Sequence, residues 1–109
     1  MDIWSHAVSR DGTTRTVVLS GEIDMSVHEA VLAVFLTEIN EPETTTVRVD
    51  LTAVTFLDSS GLNALVRARQ AAGRLGRRFT VTGAKGPVLQ VLDLTGLSSL
   101  LAEPATDTP

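Results

Sequence analysis

The chain has no cysteine, which removes disulfide frameworks, cysteine-based zinc fingers and thiol chemistry together. His6 and His28 are its only histidines, and their spacing is not that of metal ligands, so a zinc site is not expected. Aromatic residues are 4% of the sequence, so a core must be assembled from Val, Leu, Ala and Ile. No apolar run is long enough to span a bilayer, and the N-terminus lacks a basic segment followed by an apolar stretch. The expectation is a cytoplasmic protein without membrane contact. The net charge of −4 argues against nucleic acid as a partner, because binding phosphate backbones takes clustered Lys and Arg. The nearest thing to such a cluster is Arg67, Arg69, Arg74, Arg77 and Arg78. It reads as a solvated helix face or as a docking surface for an acidic partner. Enzyme signatures are missing too: there is no P-loop, no Gly-x-Gly-x-x-Gly and no Gly-x-Ser-x-Gly elbow.

What is present suits one domain of 109 residues. Ile3 to Val8 reads as a first strand, Asp11-Gly12 as a hairpin turn, and Thr14 to Ser20 as its antiparallel partner. Gly21-Glu22-Ile23-Asp24 is expected to break that strand. Asp24 or Ser26 then caps a helix running to about Ile39, with Glu29 completing a capping box on Ser26. Leu32, Phe35, Leu36 and Ile39 form its inner stripe, widened by Val27, Val31 and Val34. Thr45 to Leu51 is a buried strand, and Val54 to Leu57 a short continuation. A second helix spans about Ser60 to Leu75, with Leu62, Leu65, Val66 and Ala72 inward. Arg78 to Thr82 is the next strand. Gly86-Pro87 opens a third helix, which Gly96 ends. Ser98 to Leu101 reads as a last edge strand. The fold class is therefore α/β: a mixed, mostly parallel sheet with an N-terminal β-hairpin and three helices packed on it. The domain is expected over residues 1–101, with a flexible polar tail over 102–109.

Phe56-Leu57-Asp58-Ser59-Ser60-Gly61-Leu62 is the most informative stretch. An apolar run stops at Asp-Ser-Ser-Gly and a helical pattern begins, at a place where backbone N–H groups lack partners. Here a serine either caps the helix or stands exposed to modification. Asp24 and Asp58 each follow a strand and precede a helix. Cap chemistry makes N-caps the favoured reading, and a shared Mg²⁺ site is the sharper one. A hydrolase built on Ser59 is the weakest reading, since nothing in the sequence brings His6 or His28 to it.

Three stretches in order resemble the STAS domain, and within it the bacterial anti-sigma factor antagonists. They are Leu19-Ser20-Gly21-Glu22-Ile23-Asp24, Val54 to Leu65 across Asp58-Ser59-Ser60-Gly61, and Val88 to Leu97 ending in Gly96-Leu97. The resemblance covers roughly Thr14 to Leu101. It implies that Ser59 is a phosphoacceptor and that the partner is an anti-sigma factor doubling as a serine kinase of the GHKL type. The unphosphorylated protein binds that kinase and frees sigma factor; phosphorylation breaks the complex and a PP2C-type phosphatase restores it. Such a protein is a substrate and a switch, with no active site, cofactor or metal of its own. Asp24, Asp58, Ser60, Gly61 and Asn63 become partner-contact residues, with Ser60 as the helix cap and Gly61 allowing close backbone approach. A monomer or weak dimer is expected. Many family members have a further helix where this sequence has the short tail from Ala102. The alternative within the same resemblance is a non-switching scaffold or accessory subunit of a stressosome-like or transport complex.

Overall fold

Val47, Val49 and Leu51 alternate with polar residues, which favours an extended segment with one apolar face. In the computed structural model, which describes residues 3–97, this segment lies inside a four-stranded sheet. Strands β1 (Trp4–Asp11), β2 (Thr14–Ile23), β3 (Thr46–Leu57) and β4 (Arg78–Thr82) stand in the order β1-β2-β3-β4. The first two form an antiparallel hairpin, closed by Gly12 at φ 64°, a value glycine adopts without strain. β2 with β3 and β3 with β4 are parallel. A 3-10 turn (Met25–Val27) and helix α1 (His28–Ile39) connect β2 to β3; α2 (Ser59–Arg74) connects β3 to β4, and α3 (Gly86–Leu94) follows.

The architecture is the expected one, with three local differences. The Gly21-Glu22-Ile23 stretch does not break β2 but belongs to it. Gly21 takes φ 90° with the Ile3 carbonyl pressed against its Cα, and a register shift follows it, so this glycine marks a bulge and a close approach. β3 carries on unbroken through Thr52 and Ala53, joining the expected strand to its expected continuation. Register shifts against β2 carry it past Leu51, and its buried residues go from a spacing of two (Val47, Val49, Leu51) to three (Val54, Leu57). β1 runs on to Asp11 although nearly all of it is exposed; as an edge strand it is held by backbone pairing rather than by an apolar face.

The core lies between the sheet and the helices. Val31, Leu32, Phe35 and Ile39 of α1 and Leu62, Leu65, Ala68 and Ala72 of α2 are buried with Val17, Leu19, Val47, Val49 and Phe79 of the sheet. The Phe35 and Phe79 rings meet edge to face at 5.5 Å. Val34 and Leu36 pack at the margin of this core, and Val66 is only half-buried, its expected inner place being taken by Ala64 and Ala68. The Ser98 to Leu101 strand, the tail and the boundary at residue 101 lie outside the described residues.

Two arginines fix α1 relative to the sheet. Arg15, buried on β2, holds Glu38 near the end of α1 at 2.9 Å. Arg77, just before β4, donates to the carbonyls of Ile39, Glu41 (2.7 Å) and Pro42 (3.4 Å), satisfying acceptors that the end of α1 leaves open. Arg77→Ala is expected to lower stability by about 2 kcal/mol, the scale of hydrogen bonds from a charged donor. The check is urea unfolding; an unchanged midpoint would contradict this role for Arg77.

Candidate functional site

Parallel pairing of β2 with β3 sets Ile23 opposite Leu57. The next residue on each strand is an aspartate that heads a helical segment, so Asp24 and Asp58 stand at neighbouring strand ends. Asp58 is extended (φ −108°, ψ −170°), and its Oδ1 accepts from the N–H groups of Ser60 at 2.9 Å and Gly61 at 3.1 Å. Its carbonyl accepts the N–H of Leu62 at 3.0 Å, while its own N–H points to the Ile23 carbonyl at 3.4 Å. One residue thus caps α2 and ties the end of β3 to the end of β2.

Asp24 repeats this on a smaller scale. Its Oδ1 accepts from the Ser26 hydroxyl at 2.6 Å and from the Ser26 N–H at 2.9 Å. The Ser26 hydroxyl, and after it the Ser26 N–H, hold the Asp24 carboxyl below its ordinary value of 3.8. Both aspartates act as caps, and the capping box expected between Ser26 and Glu29 does not form, because Asp24 takes Ser26 for itself. Among the described residues no cluster of three or more His, Asp or Glu side chains could hold a metal.

The expected cap, Ser60, is not the cap. It is the second residue of α2 and a donor to Asp58, because β3 runs to Leu57 and leaves Asp58 as the residue where the backbone turns from extended to helical. Gly61 is buried at the tightest point. A Cβ there would run into Leu57 Cδ1 and lie 3.2 Å from the Ile23 carbonyl, so any larger residue must displace the Leu57 side chain and ease the first turn of α2 off the end of β2. Ser59 is the first residue of α2, and its side chain is exposed. Its hydroxyl makes no hydrogen bond to any described residue, so the nucleophile-to-base contact of a serine hydrolase is not present among them.

Ser59 and Ser60 share an open depression of about 490 Å³ with Asn63 and His28. His28 Nε2 lies 3.3 Å from Asn63 Oδ1, and Nδ1 lies 3.6 Å from Glu29 Oε2. Nothing in the sequence was expected to bring His28 to Ser59, yet the structure sets both on one depression. The signal was topological: parallel neighbours each followed by a helix bring the starts of those helices together, and His28 opens α1 as Ser59 opens α2. Two exposed apolar side chains, Met25 beside Asp24 and Phe56 two residues before Asp58, flank the site and were missed as well. The arginine cluster divides. Arg67 and Arg74 line a small groove with Leu32 and Leu36 between α1 and α2, whereas Arg69, Arg77 and Arg78 line a separate hollow with Phe79.

Residues 6–102 match the family model described as "Mlab, STAS domain". The chain belongs to the STAS domain family. No curated protein sequence matches it significantly. Among solved structures, this STAS domain is similar to an anti-sigma factor antagonist from Mycobacterium paratuberculosis, with 26% identity, 95% of this chain and 88% of that chain covered, and a TM-score of 0.77. It is similar in fold to the anti-sigma factor antagonist SpoIIAA in its unphosphorylated form (22% identity, 87% and 84% covered, TM-score 0.76). The phosphorylated form of SpoIIAA, a Bacillus cell fate determinant, gives 20% identity, 91% and 89% covered, and a TM-score of 0.70. The murine anion transporter Slc26a9 shares the fold over 84% of this chain and 15% of its own (14% identity, TM-score 0.72).

Asp58→Ala is expected to cost the STAS domain about 1–2 kcal/mol, since two N–H groups at the head of α2 lose their acceptor; denaturant unfolding measures it. Asp24 stabilises the fold fully above 3.8, and that contribution is lost as pH falls through its lower value in the folded state. Asp24→Asn should therefore show a shallower loss of stability below pH 3.8 than the parent, read by circular dichroism during acid titration. An identical acid limb would contradict the Asp24–Ser26 interaction.

Proposed function

We propose that this STAS domain is an anti-sigma factor antagonist switched by phosphorylation of Ser59. Unphosphorylated, it binds an anti-sigma factor that is also a serine kinase of the GHKL type, and sigma factor is released. The kinase moves the γ-phosphoryl group of ATP onto Ser59 Oγ, the hydroxyl proton leaves, ADP departs, and the complex dissociates. A PP2C-type phosphatase hydrolyses the phosphoserine and restores binding. The domain itself carries no active site.

The observation that carries this reading is the contrast between the two serines. The Ser59 side chain is exposed at the tip of α2 with no hydrogen bond to any described residue, whereas Ser60 is half-buried with its N–H committed to Asp58. A kinase reaches the first without unfolding anything. The likeness to anti-sigma factor antagonists, one of them solved both with and without phosphate, supports the same reading. Around Ser59 the partner meets Asp24, Asp58, Ser60 and Asn63. Gly61, being buried, contributes by setting the position of the helix start rather than by contact.

The charge argument follows from this geometry. Phosphate adds about −1.5 to −2 charges at neutral pH. It arrives beside Asp58, with Asp24 on the next strand end, at a surface that docking would desolvate. Each 1.4 kcal/mol of repulsion weakens binding about tenfold, so the interface opens while the fold stays as it is.

Incubation with a GHKL anti-sigma kinase and Mg-ATP, followed by intact mass and site mapping, tests the proposal. The expected result is one phosphate on Ser59 and none on Ser59→Ala. Modification at Ser60, or none with any such kinase from the same organism, would overturn it; the second outcome would favour a scaffold or a transport-complex subunit.

A further inference from the structure

We propose that His28 and Asn63 form an internal holder for the phosphate once Ser59 carries one, with His28 taking up a proton to do so. This rests on Ser59 being the phosphoacceptor. The start of a helix ordinarily offers an anion its free N–H groups. Here the N–H groups of Ser60 and Gly61 are already engaged by Asp58 Oδ1, so the chain's own carboxylate takes two of the first-turn donors and side-chain partners for a phosphate gain in importance.

The depression beside Ser59 supplies them. Asn63 lies one turn along α2 from Ser59, on the same helix face. Its Oδ1 is turned to His28, and its amide NH₂ makes no hydrogen bond to a described residue. His28 reaches in from α1 with its side chain 15% exposed. Nε2 faces Asn63 Oδ1 and Nδ1 faces Glu29 Oε2 at 3.6 Å, so an imidazolium here has an acceptor at each N–H and acts on the phosphate through its charge, while the Asn63 amide donates to it. The ionisable groups at the ends that meet here are Glu29 on α1, Asp24 heading the turn before α1, and Asp58 heading α2, all acidic. Farther along the Ser59–Asn63 face of α2, Arg67 is the next cation and lines the separate groove between α1 and α2. Among the residues lining the depression, His28 is the one able to become a cation.

A phosphate within about 4–6 Å of an imidazole favours the imidazolium and raises its titration midpoint by roughly one unit or more. The pair is complete below that raised midpoint and is lost as pH rises through it. By the same coupling, the second ionisation of the phosphoserine, ordinarily near 6, moves down. The holder also grades the switch. At alkaline pH His28 is neutral and the full phosphate charge faces the partner, whereas at mildly acid pH part of that charge is compensated within the domain.

The test uses the full chain with phosphoserine installed at position 59 during translation, so no kinase is involved. Titrating the histidine rings by proton–nitrogen NMR and the phosphate by ³¹P NMR over about pH 5–9 brackets the range where both groups change charge. The expected result is a His28 midpoint higher by about one pH unit or more with phosphate than without it, while His6 on the edge strand is unmoved. The ³¹P midpoint should also be lower in the parent than in His28→Gln. A His28 titration indifferent to the phosphate would overturn the proposal, and that reading needs no variant. The two proposals fail separately: a kinase that never modifies Ser59 sinks the switch and leaves this titration intact, and an unshifted His28 leaves the switch standing.

Discussion

The hydrogen bonds from Ser60 and Gly61 to the Asp58 carboxylate are the constraint on which the site depends. They fix where α2 begins. With the helix starting one residue after Asp58, Ser59 falls at the exposed tip, Ser60 at a half-buried donor position, and position 61 against the ends of two strands, where a Cβ has no room. The contact from the Asp58 N–H to the Ile23 carbonyl joins this cap to the end of β2, so the Asp24 turn and the Asp58 turn are held as one unit. The Ser59 hydroxyl is thereby displayed on the first turn of a capped helix rather than on a loop.

Much of this was legible in the sequence. The hairpin, the presence of α1 and α2 with α1 ending at Ile39, and β4 follow from turn chemistry and from apolar periods of two and about 3.6, which depend on local residues alone. The misreadings lie where long-range contacts decide. Gly21 looks like a strand breaker until the Ile3 carbonyl is brought against it. In Asp-Ser-Ser every residue is a competent cap, and the choice falls to Asp58 because register shifts carry β3 as far as Leu57. The arginines of α2 and the following loop look like one cluster in sequence, but Arg67 and Arg74 face one hollow, Arg69, Arg77 and Arg78 another, and Arg77 also donates to the end of α1. His28 was invisible for a related reason: its nearness to Asn63 comes from pairing β2 with β3, and no spacing along the chain encodes it.

The fold and the proposed function fit together through the parallel pairing of β2 and β3. That pairing gathers two capped aspartates, two helix starts and the Ser59 hydroxyl on one edge of the sheet, and it leaves Met25 and Phe56 exposed beside them. Such an edge has apolar surface for affinity and clustered negative charge for sensitivity to more of it. On the proposed function, the STAS domain needs no second conformation to act as a switch: one covalent change in charge at the start of α2 would be read directly by the partner that docks there.

The central claim is that phosphate on Ser59 acts on the interface and not on the fold. Calorimetric titration of the anti-sigma kinase with the unmodified chain and with the chain phosphorylated at Ser59, each at low and at high salt, tests it most directly. The account predicts at least tenfold weaker binding of the phosphorylated chain, about 1.4 kcal/mol, with a difference that narrows as salt screens the charges. Equal affinities for the two forms would contradict it.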